Sequence, residues 1–428
     1  MSKNSNAKFA KREIYPQLLD WLDEPEIVAI AGPRQAGKTT LLQKLRRDLA
    51  ARNVVYVSFE DTDQLASFSH SPREFIELYL KEGQKTYFLF DEFQYVSQAG
   101  KTLKLLFDEY PQTKFFITGS SSLKIREIAS FLVGRIIFFN LYPFSFAEYL
   151  GCKEEALHNL WLKFNRVFKN FLSGGEVVLP NILLEKKLTA AFEEYLTFGG
   201  YPAVATSEPA KKKERLEGLI ETYIEKDIVK HLQIGNFLDF RNFTTILSSQ
   251  IGGLINYSSL ASDVSINYRE ARKFLGALEK TFVIKLLSPY SSNKSSEIRK
   301  SPKVYFIDLG LRNCLSENFG EVRLRADRGE LVENFVCQNL FYRKDTSGLN
   351  FWRTKQGAEV DFILKFQGKI VPIEVKYQDF HEAKISRSFR NFLKGYEEVE
   401  KGVVLTKNFS GLSKFGNASL LFLPVYAV

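Results

Sequence analysis

Eight consecutive residues constrain this chain more than any others. Gly32-Pro33-Arg34-Gln35-Ala36-Gly37-Lys38-Thr39 fits the pattern G-x-x-x-x-G-K-[ST]. The octet follows a short apolar run, Ile27-Val28-Ala29-Ile30-Ala31, and precedes a stretch with apolar residues at helical spacing, Leu41, Leu42, Leu45 and Leu49. Strand, glycine loop and helix in that order make a cradle for phosphate. The glycines let backbone N–H groups wrap the anion, and the helix N-terminus adds a favourable dipole. On this reading Gly32 to Thr39, with Thr40, line a bound ATP. Lys38 reaches its β- and γ-phosphates, and the Thr39 hydroxyl ligates Mg2+.

The surroundings suit that loop. Val54–Phe59, Thr86–Phe90, Lys114–Thr118 and Ile136–Phe139 are further apolar runs separated by helix-like stretches. Continuous apolar strands between helices predict an α/β fold with a parallel sheet buried on both faces. The third run ends in Asp91-Glu92. Asp91 is expected in the Mg2+ shell, and Glu92 is expected to polarise the attacking water. The fourth ends in Thr118-Gly119-Ser120. Either Thr118 or Ser120 could orient that water near the γ-phosphate, or both are turn residues. Arg135, just before the last run, is placed either to stabilise the γ-phosphate charge of a neighbouring subunit or merely to cap its strand.

Composition removes other classes. The 428 residues carry no apolar run near the roughly 18–20 needed to span a bilayer, and the N-terminus has no apolar signal core, so no membrane partner is expected. Three cysteines at wide spacing (Cys152, Cys314, Cys337) suit neither a disulfide framework nor a zinc site and fit a reducing cytoplasm. With 59 Lys+Arg against 50 Asp+Glu, the net charge is +9, which favours an anionic partner such as DNA.

From residue 155 the pattern turns helical. Tyr257–Ala261 and Asn267–Leu278 read as two helices with a turn, and Val283-Ile284 with Val304–Ile307 as a strand pair. That order predicts a winged helix, with the polar stretch Ser288–Lys303 as wing or linker. Arg269, Arg272 and Lys273 on the second helix would enter a major groove, unless the module packs on a neighbouring domain. Lys294, Arg299, Lys300 and Lys303 could track a phosphate backbone, and Lys211-Lys212-Lys213-Glu214-Arg215 is a basic cluster at a helix start. No base-reading code is visible, so any DNA contact is expected to follow shape and phosphate.

The phosphate loop, Asp91-Glu92, Thr118-Gly119-Ser120, Gly134-Arg135 and the block Leu141-Tyr142-Pro143-Phe144-Ser145-Phe146-Ala147-Glu148-Tyr149 together resemble prokaryotic AAA+-type ATPases that carry a C-terminal domain of unknown function of the DUF4143 type. Tyr195–Pro202 and Tyr223–Ile228 extend the resemblance over most of the chain. It implies an AAA+ core (1–154), a helical lid region (155–250), a winged-helix-like domain (251–318) and a restriction-endonuclease-like α/β domain (319–428). It also implies a homo-oligomer in which Arg135 contacts the adjacent nucleotide.

The C-terminal quarter holds a hairpin. Ala358–Phe366 and Lys369–Lys376 both alternate and flank Gln367-Gly368, a two-residue turn that fixes register. Asp361 is then expected opposite Glu374 and Glu359 opposite Lys376, all on one face. Val360, Phe362 and Leu364 against Val371, Ile373 and Val375 form the other, buried face. Two opposed carboxylates repel unless a cation lies between them. These residues resemble the D…E-x-K arrangement of PD-(D/E)XK nucleases. That resemblance implies Asp361 and Glu374 as ligands of Mg2+ or Mn2+ and Lys376 as the group that orients or deprotonates water. A further acid on the preceding helix is Glu333, with Glu330 competing. Against this stands a structural remnant in which Lys376 pairs with Glu359. Two functions remain open: an ATP-driven enzyme that cleaves DNA, or an ATP-controlled assembly switch whose nuclease-like domain is inert.

Overall fold

The strands of the first 140 residues explain why the apolar runs show no polar alternation. The computed structural model describes residues 10–120, 122–180, 185–228, 235–291, 301–343 and 348–428. Strands β1 (Ile27–Ala31), β2 (Asn53–Ser58), β3 (Thr86–Asp91), β4 (Thr113–Gly119) and β5 (Ile136–Asn140) form one sheet in the order β2-β3-β4-β1-β5. Every pairing in it is parallel. β1, β3 and β4 are buried along their whole length. Val28 and Ile30 pack on one face with Leu41, Leu42 and Leu45 of helix α1 (Lys38–Asp48). Ile27, Ala29 and Ala31 pack on the other with a phenylalanine-rich core. There Phe59, Phe68, Phe90 and Phe93 meet mostly edge to face at 5.1–6.2 Å, with Phe90 and Phe93 stacked. Edge-to-face rings add to area burial, so several of the chain's 38 phenylalanines fill this layer.

By its contacts the chain divides into two compact units, Met1–Pro143 with Lys280–Phe282, and Phe144–Glu279 with Val283–Val428. The second unit starts helical. Helix α2 (Glu155–Ser173) buries Leu157, Trp161, Phe164 and Phe168, and its Trp161 Nε1 donates to the Tyr426 carbonyl at 2.7 Å. Two helices, α3 (Tyr257–Asp263) and α4 (Tyr268–Lys280), precede an antiparallel strand pair, β6 (Ile284–Leu287) and β7 (Lys303–Phe306). An antiparallel bridge from Leu254 to Lys303 extends the pair. The helix–turn–helix and strand-pair order expected from sequence is therefore present, around one core that holds Leu260, Phe274, Leu278, Val304 and Phe306.

Helix α5 (Arg328–Tyr342) leads into a mixed six-stranded sheet of β8 (Gly348–Arg353), β9 (Glu359–Phe366), β10 (Lys369–Lys376), β11 (Lys401–Thr406), β12 (Gly411–Phe415) and β13 (Ala418–Pro424). β8, β9 and β10 form an antiparallel meander. Helix α6 (Arg387–Gly395) then crosses over, and β11 returns parallel to β10. The hairpin register holds from Lys369↔Phe366 to Ile373↔Phe362. It goes no further, because β9 carries a bulge: Asn350 pairs with Ile363 but Trp352 with Val360. One extra residue on β9 reverses the facing of what precedes it. Val360 therefore shares a core with Ile363, Phe389 and Phe392, while Phe362 points to Tyr305, ring centres 5.9 Å apart. The expected grouping of Val360 with Phe362 is corrected by this bulge.

Candidate functional site

In the sheet order the end of β4 lies between the ends of β1 and β3, which brings three separate motifs together. Gly37 opens α1 at φ +98°, a conformation that side chains disfavour. The loop is braced from behind by Arg12, whose guanidinium donates to the Ala36 carbonyl at 2.7 Å and the Tyr142 carbonyl at 2.6 Å. Arg34 donates to the Tyr95 hydroxyl at 3.3 Å.

Asp91 is the hub. One carboxylate oxygen accepts from the Thr39 hydroxyl at 2.6 Å and the Tyr56 hydroxyl at 2.9 Å, and the other from the Thr118 hydroxyl. Burial, then Asp91, pushes the Tyr56 phenol up to about 12. Thr118 also accepts from the Glu92 N–H at 2.9 Å. Thr118 is thus fully buried and spends its hydroxyl on the acid pair, so the expectation that it orients water is corrected. Ser120, at the mouth of β4, accepts from Gln94 at 3.2 Å.

Lys38 donates to the carbonyls of Gly32 and Pro33 at 3.1 and 3.0 Å and lies 3.6 Å from Glu92 Oε1. Burial pushes its ammonium below the usual value, with Glu92 and Asp91 pulling back. Burial works to raise the Glu92 carboxyl, but Lys38, then Gln94 and Ser120, hold it below the ordinary carboxylate range. Thr39 and Asp91 present hard oxygen donors side by side, a set that fits Mg2+.

Arg135 stands apart. It precedes β5, whose Ile136 pairs with Ile27 at the start of β1, whereas the phosphate loop follows Ala31 at the other end. It ion-pairs with Asp108 at 2.9 Å, partly exposed. It does not reach the phosphate loop of its own chain.

The second candidate site surrounds the hairpin. Asp361 is partly buried and accepts from the Val375 N–H at 2.7 Å. Burial, then Glu333, raises its carboxyl to about 7, against Lys376 and the Val375 N–H. Lys376 lies 3.3 Å from buried Glu374; burial lowers its ammonium, and Glu374 then Asp361 more than restore it. The direct pairing of Asp361 with Glu374 and of Glu359 with Lys376 is not found, since the bulge ends the ladder at Phe362. Glu359 pairs with Lys303 at 2.5 Å and Arg353 at 2.7 Å.

Lys303 was expected on a DNA-tracking wing. It is only 2 % exposed and bridges Glu359 to Glu333, the latter at 2.9 Å. Glu333 also accepts from the Tyr305 hydroxyl at 2.6 Å. Glu333, not the exposed Glu330, faces this cluster. Among the described residues no group of three His, Cys, Asp or Glu side chains is gathered to hold a metal.

Other basic residues separate by burial. Lys212 is buried against Glu194 at 2.6 Å, which removes it from any DNA surface, while Lys211 and Lys213 pair with Glu208 and Glu217. Arg269, Arg272 and Lys273 are exposed on α4. Lys294, Arg299 and Lys300 lie outside the described residues. Gln94, Arg12, Tyr56 and Tyr305 had no signal in the sequence, since each acts from a segment remote from the motif it serves or belongs to no motif.

Comparison with known proteins meets the first site at this point. Residues 24–150 match the AAA domain family. Residues 189–322 and 328–426 match two domains of unknown function, DUF8612 and DUF4143. An uncharacterized protein of Haemophilus influenzae is 25% identical over 419 residues, covering 92% of this chain and 96% of that protein. One of Methanocaldococcus jannaschii is 28% identical over 407 residues, covering 90% and 81%. Among solved structures, the Walker-type ATPase Paby2304 of Pyrococcus abyssi aligns with TM-score 0.44 and 16% identity over 74% of this chain and 98% of that one. AMPPCP-bound DnaA from Aquifex aeolicus aligns with TM-score 0.28 and 14% identity over 62% and 86%. The AAA match and the phosphate-loop geometry agree on a P-loop ATPase. Among the described residues no helix is long and apolar enough to cross a membrane.

Proposed function

We propose that this chain is an ATP-hydrolysing AAA+ protein of the cytoplasm that assembles as a homo-oligomer and processes DNA with divalent-metal-dependent phosphodiester cleavage. The observation that carries the ATPase half is the Thr39–Asp91 and Lys38–Glu92 constellation at the carboxyl ends of β1 and β3. Lys38 and the loop N–H groups bind the β- and γ-phosphates. Thr39 and Asp91 would hold Mg2+, which when bound neutralises phosphate charge. Water attacks the γ-phosphorus, its proton passes to Glu92, and ADP leaves. Arg135, remote from its own loop, serves the nucleotide of a neighbouring subunit. Ser120 contacts the nucleotide from the end of β4. The segments 1–154, 155–250, 251–318 and 319–428 divide these tasks as core, lid, winged helix and nuclease-like domain.

The cleavage half is supported by Asp361, Glu374 and Lys376 meeting beside β10, and by the order helix, antiparallel meander, crossover helix, parallel strand. Two carboxylates would hold one Mg2+ or Mn2+ with water completing the shell. A partly buried Asp361 raised to about 7 suits a carboxylate that gains from a cation. The net charge of +9 supports a DNA partner. One observation favours the second reading, an ATP-controlled switch with an inert nuclease-like domain: Lys303 already pairs with both Glu333 and Glu359.

Wild type, Lys38→Ala and Glu374→Ala, incubated with labelled linear, forked and four-way-junction DNA in Mg2+ or Mn2+, with and without ATP, separate the readings. Cutting by wild type and not by Glu374→Ala, with ATP turnover lost only in Lys38→Ala, is the expected result. ATP turnover without cutting on any substrate transfers the assignment to the switch.

A further inference from the structure

Glu92 is held by a residue that the phosphate-loop pattern does not contain. It sits at φ 55°, a left-handed conformation uncommon outside glycine, and the chain then enters a short turn, Phe93–Tyr95. From that turn Gln94, 9 % exposed, donates its Nε2 to Glu92 Oε2 and, at 3.2 Å, to the Ser120 hydroxyl. Its own Oε1 is buried with no hydrogen-bond partner among the described residues. A buried carbonyl oxygen left unmatched is unfavourable, so the amide's position needs another reason. The end of β4 makes room for it: a Cβ on Gly119 would fall 2.7 Å from Gln94 Oε1.

The two oxygens of Glu92 thus have partners of different kinds. Oε2 is held by a neutral amide, which phosphate draws far less than an ammonium. Oε1 faces the Lys38 ammonium at 3.6 Å, and Lys38 is the group that the β- and γ-phosphates draw to themselves.

We propose that Gln94 is the positioning residue for Glu92: it fixes Oε2, so that Oε1 alone is released toward the attacking water when phosphate takes Lys38. The proposal rests on the ATPase reading above. Gln94 acts through the two groups its amide holds, the Glu92 carboxylate and the Ser120 hydroxyl. Without its donor the carboxylate keeps only Ser120 and Lys38, and the geometry for proton transfer is loosened while the phosphate cradle is intact.

The test is single-turnover ATP hydrolysis and fluorescent-ATP affinity for the full chain as wild type, Gln94→Met, Glu92→Gln and the double variant. Methionine keeps the volume and removes the donor. Gln94→Met is expected to slow hydrolysis about 10- to 100-fold, the scale of a misplaced reacting group, with nucleotide affinity within about threefold. In the Glu92→Gln background it is expected to add nothing, because residues acting as one unit are not additive. Gln94→Ala is read alongside in case methionine disturbs the fold. Hydrolysis within about threefold of wild type in both variants overturns the proposal. So does a loss of rate matched by loss of nucleotide affinity, or a loss that persists undiminished in the Glu92→Gln background. If wild type does not hydrolyse ATP, or Glu92→Gln hydrolyses it as fast, the ATPase reading itself falls, an outcome distinct from failure of Gln94 alone.

Discussion

The phosphate-loop site and the C-terminal carboxylate cluster both gather acids around a buried lysine, but they recruit it differently. Lys38 comes from the loop that defines its site, and it leans on two backbone carbonyls and one carboxylate, an arrangement that an incoming phosphate can replace. Lys303 comes from β7, part of a strand pair distant in sequence from the hairpin, and it is clamped between two carboxylates, Glu333 and Glu359. Burial lowers the Lys38 ammonium, whereas Glu333 and Glu359 overcome burial and raise that of Lys303. A lysine that is held loosely is free to work on a ligand. One that is held from both sides is part of the frame.

Removing each lysine is the strongest way to break that comparison. Lys303→Met leaves the partly buried Glu333 and Glu359 without their common cation, with only the Tyr305 hydroxyl and Arg353 beside them, and is expected to lose about 1–3 kcal/mol of stability, read by denaturant unfolding. Lys38→Met is expected to abolish ATP turnover with a much smaller change in the same unfolding midpoint. Equal stability losses at the two positions would remove the distinction.

The cluster also has a pH signature. Asp361 is raised in the folded chain, so the folded state binds a proton more tightly than the unfolded chain between about 4 and 7. Its ionisation therefore opposes folding increasingly as pH rises through that window, and the penalty is complete above about 7. Asp361→Asn is expected to stabilise the protein by up to about 4 kcal/mol at pH 8, with the gain fading to nothing near pH 4. Thermal melts across that range check it, and a gain independent of pH would contradict it.

How much of this was legible depends on whether a site is written contiguously. The loop, Asp91-Glu92 and the Gln367-Gly368 turn each occupy neighbouring residues, so type and spacing were enough to find them. The role of Thr118 stays open in the sequence because a hydroxyl at a strand end looks the same whether it faces water or a carboxylate. The β9 bulge was invisible because Val360, Phe362, Ile363 and Leu364 are all apolar, so the pattern permits either facing. Lys303 was misassigned because its partners lie 30 and 56 positions along the chain, counting from 303 to 333 and to 359, and local charge patterning carries no such information.

Two smaller effects sharpen the first site. Thr118→Val removes a donor to Asp91 and an acceptor for the Glu92 N–H, both buried. It is expected to cost about 1–3 kcal/mol and to slow ATP turnover, measured side by side. Arg135→Ala breaks only a partly exposed pair with Asp108, so the unfolding free energy should change by no more than about 1 kcal/mol. ATP turnover should nevertheless fall at protein concentrations that favour assembly, and a turnover that is unaffected at every concentration would exclude Arg135 from a neighbour's site.

The bridge from Lys303 to Glu333 and Glu359 bears on what can be inherited or transplanted as a piece. A fragment cut at residue 319 would carry the whole mixed sheet and both helices beside it, and would look self-sufficient by its hydrophobic core. It would nevertheless leave behind the ammonium and the Tyr305 hydroxyl that answer Glu333 and Glu359. The module that can be moved between proteins therefore includes β7, and with it the helices α3 and α4 that share its core, rather than beginning at the start of the C-terminal sheet.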